Sequence, residues 1–240
     1  MVQQIIIVLF LMISYFAQAL TGFGGNILAV SLLSLILSIE DTKAITNVIA
    51  IVTCLFVLVG NRRQINWSEY FKMLGYMTVG TVIGLYICSS LVIDNFLPGV
   101  LGGILIVLGI YKLKDSRYIQ FTIFGQFIIL LLSGVIQGVY ACGGMTLIIY
   151  AVNVLREKDS FRSTMTLIFL SMSLLMISFQ IGQGVYTPEV NRLILFSLVP
   201  VIVAVMIANK IASKINTKLM LRVIYILLIL IGIILIGKTL

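Results

Sequence analysis

Two stretches of this 240-residue chain place hydrogen-bonding residues and glycines inside otherwise apolar sequence. The first is LTGFGGNILA at 20–29, preceded by Gln18. The second is VYACGGMTLI at 139–148, preceded by Gln137. Each offers amide, hydroxyl and backbone N–H groups but no charge. Thr21, Asn26, Tyr140 and Thr146 are candidate donors beside the pairs Gly24–Gly25 and Gly143–Gly144. Glycine lets a chain turn sharply and lets another backbone or a ligand come close. A helix that begins after such a break has its first N–H groups unpaired and its positive dipole end turned toward the break. Groups of this kind bind an anion without a buried cation. Gln18 and Gln137 have two open readings: donation to a substrate oxygen, or satisfaction of the loop's own backbone.

The chemistry left out is equally informative. The chain has no histidine, and its eight Asp and Glu residues all lie in loops or at the ends of apolar runs. A proton relay, acid–base catalysis and a carboxylate-held metal lack their usual carriers. Cys54, Cys88 and Cys142 lie within apolar runs without CxxC spacing, so neither a disulfide framework nor a zinc set is expected. Cys142 reads as a small apolar filler. No catalytic residue, cofactor or metal follows from the sequence.

The elements that position these residues must lie in a bilayer. The chain is 61% hydrophobic and 10% charged, against about 25% charged in soluble domains. Its net charge of +8 is carried by short loops, where it reports orientation rather than a nucleic-acid partner. Ile5–Ile13 followed by AQA at 17–19 has some likeness to a signal peptide. The missing basic n-region and the continuing apolar sequence favour a first membrane segment. Apolar runs occupy about 4–20, 26–38, 44–60, 70–92, 97–113, 119–141, 145–155, 163–182, 191–209 and 219–237. Runs 26–38 and 145–155 are too short to cross a hydrocarbon core of ~30 Å comfortably. They read as half-helices or steep short spans, following the two glycine breaks. If single spans separate the loops in the order of these runs, 13 of the 16 Lys and Arg lie at one face, assigned to the cytoplasm. Both chain ends then lie outside.

A shift of 119 residues superposes the two breaks. Gln18 falls on Gln137, Gly24–Gly25 on Gly143–Gly144, Glu40 on Asp159 and Lys43 on Arg162. Identities are few, but the order of break, short helix, acidic residue, basic residue and long span recurs. Five segments per half is an odd number, so the second half enters from the opposite side. The expected fold is all-α integral membrane: an inverted repeat of two five-segment halves, each with a glycine-broken helix, a short helix and three full spans. Residues 1–117 form the first half and 118–240 the second, together one membrane domain. The two short-helix N-termini would converge near the midplane. For the GxxxG spacings Gly80/Gly84 and Gly99/Gly103, close helix packing suffices as a reason.

At these residues the sequence resembles the sulfite exporter TauE/SafE family of membrane anion permeases. The similar elements are GFGGNILAVSLLSL at 22–35, NRRQINWSEYFKMLGYMTVGTVIG at 61–84, GVYACGGMTLIIY at 138–150 and FRSTMTLIFL at 161–170. Ser31 and Met145–Thr146 stand where the family often has proline, and Tyr140, Ala141 and Cys142 precede the second glycine pair. The resemblance implies a multi-pass protein of the bacterial plasma membrane that carries a sulfur oxyanion, a sulfonate or an organic carboxylate. Its partners would be that small anion and the lipid bilayer, with a homodimer as a candidate assembly.

Two further sets of polar residues are expected to matter. Lys43 and Arg162 open the spans after the short helices, and each either attracts an anion at a pathway mouth or anchors its helix at the headgroups. Arg162 is the stronger candidate because it lies in the family-like FRST. Asn47, Thr164, Thr166, Ser171, Ser173, Gln180 and Gln183 give spans 44–60 and 163–182 polar faces, which either line a path or bond helices together. A secondary transporter is the leading function and an uncoupled anion channel the alternative. An enzyme acting on a lipid-linked substrate lacks the catalytic side chains. A chaperone-like assembly partner would not need the glycine breaks.

Overall fold

The computed structural model describes residues 2–21, 24–61, 64–90, 97–114, 122–211 and 217–239. Gly22, Phe23, Arg62, Arg63 and the expected boundary at 115–118 lie outside them. The described chain forms α1 (Val2–Thr21), α2 (Gly25–Leu33), α3 (Ile39–Asn61), α4 (Trp67–Ser90), α5 (Leu97–Lys114), α6 (Ile123–Tyr140), α7 (Gly144–Val154), α8 (Lys158–Gly182), α9 (Pro188–Ile211) and α10 (Thr217–Thr239). Each corresponds to one apolar run of the sequence, and no strand occurs among the described residues. Six helices (α1, α3, α4, α6, α8 and α9) are long and apolar enough to cross a membrane. Helices α5 and α10 carry shorter apolar stretches at Gly99–Tyr111 and Leu228–Gly237. The outer surface is apolar as well: Leu195, Phe196, Val199 and Val203 all face outward on α9, as lipid contact requires.

Side-chain bonds establish the helix directions. The Tyr15 hydroxyl lies 2.7 Å from the Thr46 carbonyl oxygen, and Gln18 Nε2 lies 3.7 Å from Cys54 Sγ. The two indices rise together, so α1 and α3 run the same way. Helix α2 lies between them in sequence and must run back, which makes α1–α2 a hairpin. At the second break, Lys72 Nζ of α4 donates to Gln126 Oε1 at 2.7 Å and sits 5.3 Å from the centre of the Tyr150 ring. The start of α6 and the end of α7 are therefore level, and α6–α7 is a second hairpin.

The hairpins open at opposite ends of the bundle. At one end Tyr150 donates to Glu69 at 2.6 Å, Asn66 N–H to Thr164 Oγ1 at 3.0 Å and Arg162 to Asn209 at 2.5 Å. These bonds gather the starts of α4 and α8 with the ends of α7 and α9. At the other end Lys43 pairs with Glu40 at 2.6 Å and its Nζ lies 3.8 Å from Cys88 Sγ, while Asn47 bonds Gln180 at 3.2 Å. The first end is the one bearing Lys72, Arg156, Arg162 and Lys210, in line with the charge pattern. Ser68→Cys should accordingly react with a membrane-impermeant thiol reagent only from the cytoplasmic side, and Thr187→Cys only from outside. Labelling of both from one side would remove this arrangement.

Glycines seat two helix pairs. A Cβ on Gly80 would lie 2.9 Å from Gly134 Cα, and one on Gly138 would lie 2.8 Å from Leu85 N, so α4 and α6 touch backbone to backbone. The packing expectation for Gly80 and Gly84 therefore holds. It fails for Gly103, where an added Cβ would meet nothing within 4 Å. The close approach of α5 to α10 is made instead by Gly102 and Gly232, whose added Cβ atoms would lie 2.6 and 2.7 Å from each other's carbonyl oxygens. A shift of one residue turns a side chain by about 100° around a helix, so spacing alone selected the wrong face.

Candidate functional site

The tips of the two hairpins meet inside the bundle, where Asn26 Nδ2 lies 3.4 Å from the Ala141 carbonyl oxygen. The first tip turns at Gly24, which caps α2 with φ 87°, a left-handed conformation that glycine adopts without a Cβ penalty. The second tip is built differently. Its left-handed residue is Ala141 at φ 55°, whose N–H donates to the Gln137 carbonyl at 2.8 Å. Gly143 has an ordinary right-handed φ of −58°. Of the two uses expected of a glycine at the break, a sharp turn and a close approach, Gly143 serves the second: glycine is needed there for space. A Cβ on Gly143 would collide with the Ser133 carbonyl oxygen and lie 2.8 Å from Gln137 Cβ; one on Gly144 would lie 2.8 Å from the Phe169 ring.

The two glutamines are both buried. Gln137 Oε1 accepts the Gly143 N–H at 2.9 Å, so one of its bonds goes to the loop, the second of its two readings. Gln18 reaches Cys54 and lies against Gly25, where an added Cβ would sit 3.0 Å from Gln18 Cδ.

A cavity lies between the tips. Its walls are Gln18, Gly24, Asn26 and Ile27 from the first hairpin, Gln137, Ala141, Cys142 and Gly144 from the second, and Phe169 from α8. Its cavity volume is about 10 Å³. That is room for roughly one water. No charged side chain lines it. The starts of α2 and α7 lie at this cavity, with Gly24, Asn26 and Gly144 in its wall, and helix N-termini carry a positive dipole end.

Five expected residues line the cavity directly: Gln18, Gly24, Asn26, Gln137 and Gly144. Gly25 and Gly143 sit behind the wall, where they admit Gln18 and the α6 backbone. Tyr140 is buried beside Ala141 without lining the space. Thr21 Oγ1 donates to the Ala17 carbonyl at 2.8 Å and Thr146 Oγ1 to the Gly143 carbonyl at 3.1 Å, so both hydroxyls serve their own helices. Arg162 stands apart from the cavity. Its Nη2 donates to the Ala19 carbonyl at 2.7 Å as well as to Asn209, which places a cation at the C-terminal end of α1.

Ile27, Ala141 and Phe169 were not among the sequence candidates, and Cys142 lines the wall as a small apolar residue. Ala141 had a signal, since it stands 119 residues after Gly22. Phe169 had none. Among the described residues no group of three or more His, Cys, Asp and Glu could hold a metal ion.

A helical bundle apolar on its outside, with a cavity between two hairpin tips that is lined in part by amide side chains, defines a multi-pass membrane protein. The family model described as Sulfite exporter TauE/SafE matches residues 6–235, nearly the whole chain. The protein belongs to this family, which comprises membrane transporters rather than enzymes. No curated protein and no solved structure matches the chain.

Proposed function

We propose that the protein is a secondary transporter of a small oxyanion in the bacterial plasma membrane, with the anion bound between the two hairpin tips. The substrate class is a sulfur oxyanion, a sulfonate or an organic carboxylate. One observation carries this reading: a cavity with no charged side chain in its wall, built from both hairpins, with Gln18, Gly24 and Asn26 from the first and Gln137, Ala141 and Gly144 from the second, Gln18 and Gln137 being equivalent by the repeat offset. Helix N-termini supply partial positive charge there, enough to hold an anion and weak enough to release it.

The helix partnerships support an inverted repeat of 1–117 and 118–240. Exchanging the halves turns the α4–α6 pair into α9–α1 and the α3–α9 pair into α8–α4. It returns α3–α8 and α5–α10 to themselves. Hairpins that open at opposite ends fit alternating access, in which one half rocks against the other around a fixed site. A cavity with room for about one water fits an occluded conformation, so the anion enters when the tips separate. Arg162 acts as a positioning residue that ties α8 and α9 to the α1 tip.

Reconstitution into liposomes tests the proposal across a panel of sulfur oxyanions, sulfonates and carboxylates. A carrier shows saturating flux, and unlabelled substrate on the far side accelerates uptake of labelled substrate. Flux that rises linearly with concentration and lacks counterflow would replace the carrier with a channel.

A further inference from the structure

Helices α3 and α8, which pack against each other, carry five buried polar side-chain atoms without a partner among the described residues, and three of them belong to Asn47, Gln180 and Ser173. Asn47 and Gln180 are 0% and 1% exposed. Asn47 Nδ2 donates to Gln180 Oε1, which also accepts from the Tyr186 hydroxyl at 2.9 Å. Asn47 Oδ1 and Gln180 Nε2 are left unpaired. Turning both amides over only exchanges which residue carries the free donor. The third atom is Oγ of the fully buried Ser173. Other hydroxyls of α8 behave differently: those of Ser163, Thr166, Ser171 and Ser178 each donate to the carbonyl four residues back, at 2.7–3.0 Å. Leaving such atoms unpaired is costly unless something else meets them.

These atoms form a file. Helices α3 and α8 run antiparallel: Asn47 near the start of α3 meets Gln180 near the end of α8, and Asn66, five residues past the end of α3, meets Thr164 near the start of α8. Ser173 and Cys54 each lie seven residues further in, about 10 Å deeper at 1.5 Å per residue. At that level Gln18 reaches Cys54, and Phe169, one turn from Ser173, enters the cavity wall. At the outer end Lys43 lies one turn beyond Asn47, almost fully buried and held by Glu40.

We propose that the outer leg of the translocation path follows this α3–α8 seam. An oxyanion passes from Lys43 by the Asn47–Gln180 pair and Ser173 into the cavity between the tips. The free donors of the amide pair and of Ser173 bond its oxygens in turn, and the free amide acceptor takes a water of its hydration shell. Glu40 offsets Lys43, and the deeper stations are neutral, so no point along the file holds the ion too tightly for onward movement. The inference rests on the transporter reading above.

Two measurements on the full-length protein in liposomes test it. Ser173→Cys should be modified by a small, anionic, membrane-impermeant methanethiosulfonate added outside, as read at that peptide by mass spectrometry, and methanesulfonate should slow the reaction. Leu174→Cys, at a position 52% exposed on the bundle surface, should remain unmodified. Ser173→Ala should raise the transport KM roughly tenfold, the loss of one hydrogen bond to an anion, with kcat and melting temperature little changed. An unmodified Cys at 173 together with a wild-type KM in Ser173→Ala overturns the seam path. If Asn26→Ala still weakens anion binding in that event, the central site stands and only the path is wrong. If Asn26→Ala is silent too, the transporter site itself has failed.

Discussion

Transport should fall to background in a Gly143→Ala variant, while Gly24→Asn should retain a measurable fraction of it. The two glycines differ in what they do. At Gly143 the backbone is ordinary, but an added methyl would overlap the Ser133 carbonyl oxygen and crowd Gln137 Cβ and N. Two of these three atoms are α6 backbone and cannot swing aside. Relief requires α7 to move off α6, which breaks the Gly143 N–H to Gln137 bond and shifts Gly144 out of the cavity wall. Overpacking of this kind typically costs about 1–3 kcal/mol in stability, and here the displacement falls on the site itself. At Gly24 an added Cβ would meet nothing within 4 Å, and the only penalty is the left-handed φ. Asn tolerates that conformation better than most residues. Gly24→Val, which is β-branched, should lose transport. Initial uptake per amount of membrane-inserted protein checks the series. A Gly143→Ala variant as active as Gly24→Asn would show that the second tip is not tightly packed.

The second large effect is on binding. Asn26→Ala should weaken anion affinity by about 1–3 kcal/mol, the range for removing one partner from a buried polar group, or roughly 5- to 150-fold in Kd. Asn26 lines the cavity and links the tips through Ala141, and its Oδ1 lies 2.9 Å from the Tyr15 hydroxyl. Thr146→Ala should be close to neutral, because that hydroxyl already bonds the Gly143 carbonyl and does not line the cavity. Arg162→Gln should lower the melting temperature and the yield of folded protein, since it frees the Ala19 carbonyl and Asn209 together. Binding by the folded fraction should change little. Equilibrium binding on the three purified variants separates the models. If Arg162→Gln abolishes binding in folded protein while Asn26→Ala is silent, a charged arginine site replaces the neutral one.

The ten described helices, the two undersized ones, the paired glycine breaks and the gathering of Lys72, Arg156, Arg162 and Lys210 at one end were all legible in the sequence. Each depends on properties read locally: the length of an apolar run, the charge of a short loop, the placement of glycine. Most of the cavity's polar wall was legible for the same reason, because an Asn or Gln beside a break inside hydrophobic sequence has little else to do. The repeat offset also pointed toward Ala141 through Gly22.

Only the tertiary structure decided which surfaces face one another. Phe169 looks like any other apolar residue of α8, yet it closes the cavity. Gly102 rather than Gly103 meets α10, and Ser173 rather than Ser171 or Ser178 keeps a free hydroxyl. Arg162 reaches α1 and α9 rather than an open mouth. The physical reason is common to all four. In a soluble protein the buried face of a helix is marked by hydrophobicity, because the other face meets water. In a bilayer both faces meet apolar surroundings, so hydropathy reports that a segment is inserted and leaves its inward face unmarked. The contacts that select that face, such as backbone against glycine and hydroxyl against carbonyl, exist only once distant helices have packed.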